Sequence, residues 1–256
     1  AQTIVGGLEN KAGFPLRIAM KPILTMPEEI NRVFLDAAAS EHCAGVLCWM
    51  HTFSPAKMWI GGLRNFGKPV CHFHTQFNRD IPWESIDMDY MNLHQSAHGG
   101  REFGFIATRM GLRRKVVVGH WEDSEVVAEL GQWMRVAAAW HDLQRLKIVR
   151  FGDNMRQVAV TEGDKVEAEL KFGYSVNTHG VGDLADVIAQ VSGVGVDSLC
   201  AEYEDCYDVV PELRKGGERH SSLREAARIE AGLRAFLTDG GYGAFTDTFE
   251  DLHGLE

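Results

Sequence analysis

The sequence has few cysteines and no long apolar segment, and each absence excludes a class of protein. Only five cysteines occur among 256 residues, an odd number without a C-x-x-C pair. Neither a disulfide framework nor a structural zinc cluster is therefore expected. No run of about 18 apolar residues is present, and the first residues lack the basic start and apolar core of a signal peptide. These features favour a reducing, cytoplasmic compartment.

Several signatures of catalysis and nucleotide binding are also missing. The sequence contains no G-x-G-x-x-G or Walker loop, no G-x-S-x-G elbow and no H-E-x-x-H motif. The net charge of -10 disfavours nucleic acid and anionic membranes as partners, because an acidic surface does not attract them. A small neutral substrate remains compatible with that charge.

Apolar strand-like runs alternate with helical patterns. The strand-like runs are residues 16–21, 44–50, 70–75, 115–119 and 146–151. The helical patterns between and after them include residues 27–40, 86–110, 121–143 and 221–237. Strands separated by helices of this length imply parallel βαβ units, so the pattern predicts an α/β fold with doubly wound parallel sheets. A boundary near residue 146 predicts two domains, 1–146 and 147–256.

Both ends of the chain have unusual patterns for domain ends. Residues 1–12 have the pattern of the back half of a helix, whereas a doubly wound domain usually begins with a strand. The last residues show neither a fading polar tail nor a helix stop. We therefore expect the first domain to lack its opening strand and the second to be truncated at its C-terminal side.

The segment 86–105 has the most unusual composition in the chain. It places His94 and His98 four residues apart with Gln95 between them, followed by Gly99-Gly100-Arg101-Glu102. A helix built only to bury an apolar stripe does not need these residues in succession. They are groups that hydrogen-bond, titrate or admit a close approach to the backbone, which indicates a pocket for a small polar molecule.

Four polar segments follow predicted strands. They are residues 51–54, 74–78, 119–121 and 152–156, which are rich in His, Thr, Gln and Asn. Ligands of α/β sheets bind at the carboxyl ends of the strands. These segments therefore predict a ligand site, since such a composition is hard to explain by packing alone.

Two histidine pairs allow more than one interpretation. His72 and His74 share one face of a strand, and His94 and His98 have a spacing suited to a shared metal on a helix. Packing and hydrogen bonding are the favoured roles for the first pair and hydrogen-bond donation for the second, because no acidic partner can be placed beside them. From the residues alone, the type of reaction stays open.

Long segments of the sequence resemble the L-arabinose isomerase family over essentially the whole chain. They are HTFSPAKMWIGGL (51–63), HTQFNRDIPWESIDMDYMNLHQSAHGGREFG (74–104), RFGDNMRQVAVTEGDKVEAELKFGYSVNTHGVGDL (150–184), YEDCY (203–207), EAARIE (225–230) and FTDTFEDLHGL (245–255). The resemblance implies two Rossmann-like domains and an aldose–ketose isomerase that interconverts L-arabinose and L-ribulose through an enediol. It also implies a divalent cation, normally Mn²⁺, and a homo-oligomer, usually a hexamer.

The resemblance assigns five residues to a substrate pocket. Phe53, Met155 and Phe249 match family positions that line the sugar cavity, and Gln95 and His98 match positions that reach the active site of an adjacent subunit. The two glutamates and two histidines that hold the family's metal have no counterpart in this chain. No metal ligand and no complete catalytic set is therefore assigned, and the chain by itself is expected to be inactive.

Two alternatives remain open at the level of sequence. The chain is compatible with a non-catalytic sugar-binding α/β module. It is also compatible with a related isomerase of different sugar preference, such as one acting on galactose or fucose. Conversion of D-galactose to D-tagatose, which many members of the family perform, is part of what the resemblance itself implies.

Overall fold

The computed structural model describes residues 2–11 and 17–252, which divide into two compact units. The first unit extends to Asp142 and the second begins at Leu143. Each unit contains one three-stranded parallel sheet and its own helices. The predicted α/β class with parallel sheets is thus confirmed.

The first unit contains three strands and six helices in its described part. The strands are β1 (Val46–Cys48), β2 (Val70–His74) and β3 (Lys115–Val118), in the order β1-β2-β3. The helices are α1 (Gln2–Lys11), α2 (Pro27–Ala39), α3 (Ile60–Leu63), α4 (Met88–Leu93), α5 (Ser96–Arg109) and α6 (Ser124–Leu143).

Apolar side chains pack on both faces of the first sheet. Because successive residues of a strand point to opposite faces, Val70 and Cys71 of β2 belong to different clusters. The cluster that includes Val70 contains side chains of α2, α3 and α5. The cluster that includes Cys71 contains side chains of α1 and α6. Burial on both faces explains why the run VCHF is mostly apolar and does not alternate with exposed polar residues.

The second unit also contains three strands, with four helices. The strands are β4 (Lys147–Phe151), β5 (Ser175–His179) and β6 (Ala244–Asp247), in the order β5-β4-β6. The helices are α7 (Lys165–Phe172), α8 (Val181–Ala189), α9 (Gly193–Cys206) and α10 (His220–Gly240). Val149 and Phe151 of the central strand are fully buried against α8 and α10.

Three sequence-based expectations about secondary structure were wrong. Residues 17–21 form no strand, and the Ile18 backbone N–H donates instead to the Glu9 carboxylate at 2.5 Å (residue 16 lies outside the described residues). Strands β5 and β6 were not predicted, because SVNTH is mostly polar and AFTD has only four residues. The third error was to treat residues 86–110 as one largely continuous helix.

That segment forms two helices separated by a break at His94 and Gln95. His94 caps the C-terminus of α4, and Gln95 precedes the first residue of α5 with backbone angles outside the helical region. The two histidines therefore do not share one helical face. The break lets α5 start in a new direction, so that Gly99 approaches the loop after β1 and Gly100 approaches the His74 side chain at the end of β2.

No single helix in the described ranges has both the length and the apolar character needed to cross a membrane. Helices α8 and α9 reach that length and composition only together, as a pair bent by 95°.

Candidate functional site

The polar loops of the first unit lie side by side at the carboxyl edge of its sheet. Parallel strands end at one edge, so the loops after β1, β2 and β3 are neighbours. Side chains join them: the Trp49 indole donates to the Thr75 carbonyl at 2.9 Å. His120 Nε2 and Trp121 Nε1 both donate to the Phe77 carbonyl, each at 3.1 Å. Three of the four segments predicted to flank a site are thus brought together.

A salt bridge also joins the segments that follow β2 and β3 at this edge. Arg79, after β2, lies 2.7 Å from Asp123, after β3. The hydrogen bond from Arg79 lowers the pKa of the Asp123 carboxyl. Both groups are exposed, so the pair aligns the loops more than it stabilises the fold.

Helix α5 packs against the loop after β1 because Gly99 has no side chain. A Cβ at Gly99 would lie 2.3 Å from the Thr52 carbonyl oxygen, too close for any real contact. The Glu102 carboxylate accepts a hydrogen bond from the Ala56 N–H at 2.9 Å, which ties the same helix to the end of this loop. The close approach places the start of α5 at the edge where the predicted ligand segments meet.

Two of the residues assigned by resemblance meet here. The Phe53 ring and the His98 imidazole pack with centroids 4.7 Å apart, and both side chains are exposed to solvent. Gln95 is half-buried, and its amide donates to Asn92 Oδ1 at 3.2 Å. His98 also lines a shallow depression of about 230 Å³ with Arg101, Glu102 and Phe105.

The other histidines occupy different environments. His94 packs its ring on Tyr90 with centroids 4.3 Å apart. His72 is buried, both of its ring nitrogens lack a hydrogen-bond partner, and its ring stacks on His74 with centroids 5.7 Å apart. Burial lowers the pKa of His72 to about 4, and the nearby His74 and Arg114 contribute in the same direction. His72 is therefore a neutral packing group, as the favoured interpretation of this pair required.

The second unit has its own polar edge, at the carboxyl ends of β4, β5 and β6. An open recess of about 690 Å³ lies there, and it is lined by Gly152, Asp153, Lys165, Thr178, His179, Gly180, Val181 and Asp251. Lys165 Nζ donates to the Thr178 hydroxyl at 2.8 Å. Among the lining residues, the sequence had indicated only the 152–156 segment as part of a site.

His179 is held in one tautomer. Its Nδ1 lies 3.3 Å from the Asp183 carboxylate, which only accepts, so Nδ1 carries the proton. Its Nε2 lies 2.9 Å from the Tyr242 hydroxyl and accepts from it. The sequence signal for this residue was a histidine at the end of a strand followed by Gly180 and helix α8. Because strand β5 was not predicted, its last residue, His179, was not predicted as a site residue.

Met155 and Phe249, the remaining residues assigned by resemblance, lie on two connected loops of this edge. Met155 is half-buried in the loop after β4, and Phe249 is exposed at the start of a 3-10 turn after β6. The turn's next two residues, Glu250 and Asp251, accept hydrogen bonds from the backbone of the Met155 loop. The sequence gave no indication of these bonds, which join positions 94 and 98 residues apart.

The described residues offer no place for the divalent cation that the resemblance implies. Among residues 2–11 and 17–252, no three His, Cys, Asp or Glu side chains are grouped closely enough to hold a metal ion. The residues present therefore do not fit the metal, and no chemical step is derived through it.

Comparison with known proteins gives a consistent family assignment. Residues 1–145 match the family model of the L-arabinose isomerase N-terminal domain, and residues 147–256 match that of the L-arabinose isomerase central domain. The L-arabinose isomerase of Geobacillus thermodenitrificans is 60% identical over 256 residues, which is 100% of this chain and 52% of the relative. That of Geobacillus kaustophilus is 63% identical over 243 residues, 95% of this chain and 49% of the relative.

A third relative gives the same result. The L-arabinose isomerase of Herpetosiphon aurantiacus is 57% identical over 255 residues, 100% of this chain and 51% of the relative. The chain spans about half the length of the curated relatives that it matches. Two family models that together cover almost every residue show that the chain belongs to the L-arabinose isomerase family.

Proposed function

We propose that these residues form the first two domains of an aldose–ketose isomerase that interconverts L-arabinose and L-ribulose. The observation that carries the proposal is the 60% identity to an L-arabinose isomerase over all 256 residues of the chain. The chain spans about half the length of this relative. The term full-length protein is used for a protein that contains this chain and has the length of the relatives.

The role of this chain in the proposed reaction is to build part of the sugar cavity. Phe53, Met155 and Phe249 supply apolar wall against the carbon skeleton, and a partly apolar cavity with a few polar groups is what a sugar site needs. His98 and Gln95 supply hydrogen bonds to hydroxyl groups of a sugar that is bound in a neighbouring subunit's site. Proton transfer between C2 and C1 through an enediol is assigned to groups outside the described residues.

The cation of the proposal, Mn²⁺, is bound by the full-length protein and not by this chain. The support is the family resemblance, whose metal-binding glutamates and histidines have no counterpart in this chain, and the length of the relatives, of which this chain covers about half. Activity on D-galactose, giving D-tagatose, belongs to the same proposal, because the resemblance is to a family in which many members catalyse both conversions.

We also propose that the full-length protein is a homo-oligomer, a hexamer as in the resemblance, with Gln95 and His98 facing a neighbouring subunit's site. An apolar surface next to these residues supports this. The segment from Phe77 to Leu93 exposes six large apolar side chains, which are Phe77, Ile81, Trp83, Met88, Met91 and Leu93. Such a concentration is typical of protein interfaces.

The test is an assay of the full-length protein with L-arabinose and Mn²⁺. The proposal predicts L-ribulose formation that stops when the cation is removed by a chelator and returns when it is restored. Sedimentation of the same preparation measures the oligomer. A full-length protein that binds L-arabinose without any turnover would instead support a sugar-binding module.

A further inference from the structure

The loop after β4 and the turn after β6 meet at the carboxyl edge of the second sheet. Strands β4 and β6 are paired in parallel, with Phe151 opposite Asp247, so the segments that follow them start side by side. The first segment carries Met155 and the second carries Phe249. These are the two cavity-wall residues that the proposed function assigns to this unit.

Two consecutive carboxylates of the turn hold the loop. Asp251 Oδ2 accepts from the Asp153 N–H at 2.7 Å, and Glu250 Oε2 accepts from the Arg156 N–H at 2.9 Å. The two bonds therefore hold the loop's backbone on both sides of Met155. The Arg156 side chain adds ion pairs, with Nε 3.5 Å from Glu250 and Nη1 3.9 Å from Asp251.

The backbone of the loop after β4 adopts positive φ angles at both of its ends, one of which is unfavourable for the residue there. Gly152 has φ +79, and a Cβ there would lie 2.4 Å from the Asp251 carboxylate, so only glycine admits it. Gln157, at the other end, has φ +64, which is the only positive φ of a non-glycine residue in the described part of the chain. Such a conformation persists where the surrounding contacts over-determine it.

The bonds to the backbone matter more than the ion pairs. The side chains of Glu250 and Asp251 are only 22% and 26% exposed, whereas that of Arg156 is 71% exposed. Exposed ion pairs contribute little, because water and salt screen them. A partly buried carboxylate that accepts from a backbone N–H makes a stronger, charge-assisted bond.

We propose that Glu250 and Asp251 are positioning residues, whose carboxylates fix the Met155 loop to the Phe249 turn and thereby set the spacing of the sugar cavity's wall. Nothing in the family comparison assigns them a role. The inference rests on the proposed function, since Met155 and Phe249 line a sugar cavity only if that function holds. Neither carboxylate touches the substrate.

The proposal predicts a change in substrate binding and not in chemistry. Loosening the wall weakens contacts that are the same in the ground state and the transition state, which raises KM and leaves kcat nearly unchanged. Removing an interaction made only in the transition state would lower kcat instead. A purely structural role would lower the thermal midpoint without changing KM.

The experiment compares Asp251→Ala and Asp251→Asn in the full-length protein with Mn²⁺ and L-arabinose. Asp251→Ala removes the acceptor, and we expect KM to rise about tenfold with kcat within about threefold, since small misplacements in a site have large effects. Asp251→Asn keeps an amide oxygen that accepts from the Asp153 N–H, so KM should stay within about threefold of the wild type.

A control variant and a double variant complete the experiment. Glu167→Ala removes an exposed ion pair with Lys171 in the same unit and removes no hydrogen bond to the Met155 loop, so it should leave KM unchanged. In a Phe249→Ala background, which already lacks one side of the wall, Asp251→Ala should raise KM by less than about twofold, because the two substitutions act on one feature.

Each outcome decides for or against the proposal. An unchanged KM in Asp251→Ala, an Asp251→Asn variant as impaired as Asp251→Ala, or fully additive effects with Phe249→Ala would overturn it. A lowered thermal midpoint with no change in KM would show a structural role only. If the wild-type full-length protein forms no L-ribulose, the proposed function fails first, and the positioning role fails with it.

Discussion

The ring of Phe53 packs against the imidazole of His98, with centroids 4.7 Å apart and planes inclined by 61°. This contact joins the loop after β1 to helix α5, two parts of the chain that the sequence had marked as polar and unusual. Phe53 is proposed to be an apolar wall and His98 a hydrogen-bonding group. Replacing Phe53 should therefore raise KM, whereas replacing His98 should lower kcat/KM.

Replacing His98 should impair the reaction without unfolding the protein. His98→Ala in the full-length protein removes an exposed hydrogen-bonding group and no core volume, so we expect kcat/KM for L-arabinose to fall by about tenfold or more while the thermal midpoint stays within about 2 °C. His42→Ala, an exposed histidine on the segment that leads into β1, is the matched control and should behave as wild type. Wild-type kinetics for His98→Ala would remove His98 from the site.

Replacing Phe53 should weaken sugar binding. Phe53→Ala takes away apolar wall, and we expect KM to rise about fivefold with little change in kcat, as loss of uniform binding does. Steady-state kinetics with L-arabinose measures both constants. A fall in kcat at unchanged KM would assign Phe53 to the chemical step and contradict the wall.

Two glycines of helix α5 should respond in opposite directions to the same substitution. Gly99→Ala places a methyl group 2.3 Å from the Thr52 carbonyl, so we expect the free energy of unfolding to fall by about 2 kcal/mol. Gly104→Ala meets only Arg114 Nη2 at 3.5 Å, and the better helix propensity of alanine should raise stability by about 0.5–1 kcal/mol. Urea unfolding of the chain measures both. Equal effects would show that α5 does not approach the β1 loop.

The buried His72 makes stability depend on pH. Its pKa falls from 6.5 to about 4 on folding, so the unfolded chain binds more protons than the folded chain between those values. The contribution of His72 to the free energy of unfolding is therefore fully present above pH 6.5 and is lost as the pH falls toward 4. The total loss is on the order of 3 kcal/mol. His74, whose pKa burial also lowers, adds a contribution of the same sign.

The substitution His72→Phe tests this linkage. Phenylalanine keeps the edge contact that His72 makes with the Phe103 ring and cannot take up a proton. The difference in unfolding free energy between pH 7 and pH 4.5 should shrink in the variant, measured by urea unfolding at both values. An unchanged difference would mean that His72 does not enter the fold as a neutral group.

The five thiols should differ in reactivity. Burial raises the pKa of Cys48 and Cys71, and Cys200 is buried as well, whereas Cys206 is exposed. The thiolate is the reactive form, so Cys206 should be alkylated first in the native chain and the three buried cysteines only after unfolding. Peptide mass spectrometry after iodoacetamide treatment at pH 8 follows each site, with a denatured sample as the reference. Rapid native labelling of Cys48 would contradict its burial.

Secondary-structure elements could be predicted from the sequence where the pattern of apolar residues fitted one type of element only. The run VCHF in β2 and the amphipathic pattern of α10 each indicate one structure only, and the protein forms both elements. Strand β6 was missed because AFTD has the length of a turn, and it is a strand only because β4 pairs with it. Tertiary pairing of this kind leaves no local signal.

The candidate site was likewise predictable from the sequence only in part. The polar segments after β1, β2, β3 and β4 were recognisable because ligand-binding loops follow strands in α/β sheets. The two bonds from Glu250 and Asp251 to the Met155 loop were not, since acidic residues in a turn are common and their partners lie far away in sequence. The break at His94 was hidden because neither histidine nor glutamine is a strong helix breaker.

The central proposal is that this chain builds part of the sugar cavity of an L-arabinose isomerase and that the residues that bind the cation are not among those of this chain. The most direct measurement is the rate of L-ribulose formation from L-arabinose with Mn²⁺, in parallel for the full-length protein and for the 256-residue chain at equal concentration. The account predicts metal-dependent turnover by the first and none by the second. Turnover by the chain alone at a comparable rate, or none by the full-length protein, would contradict it.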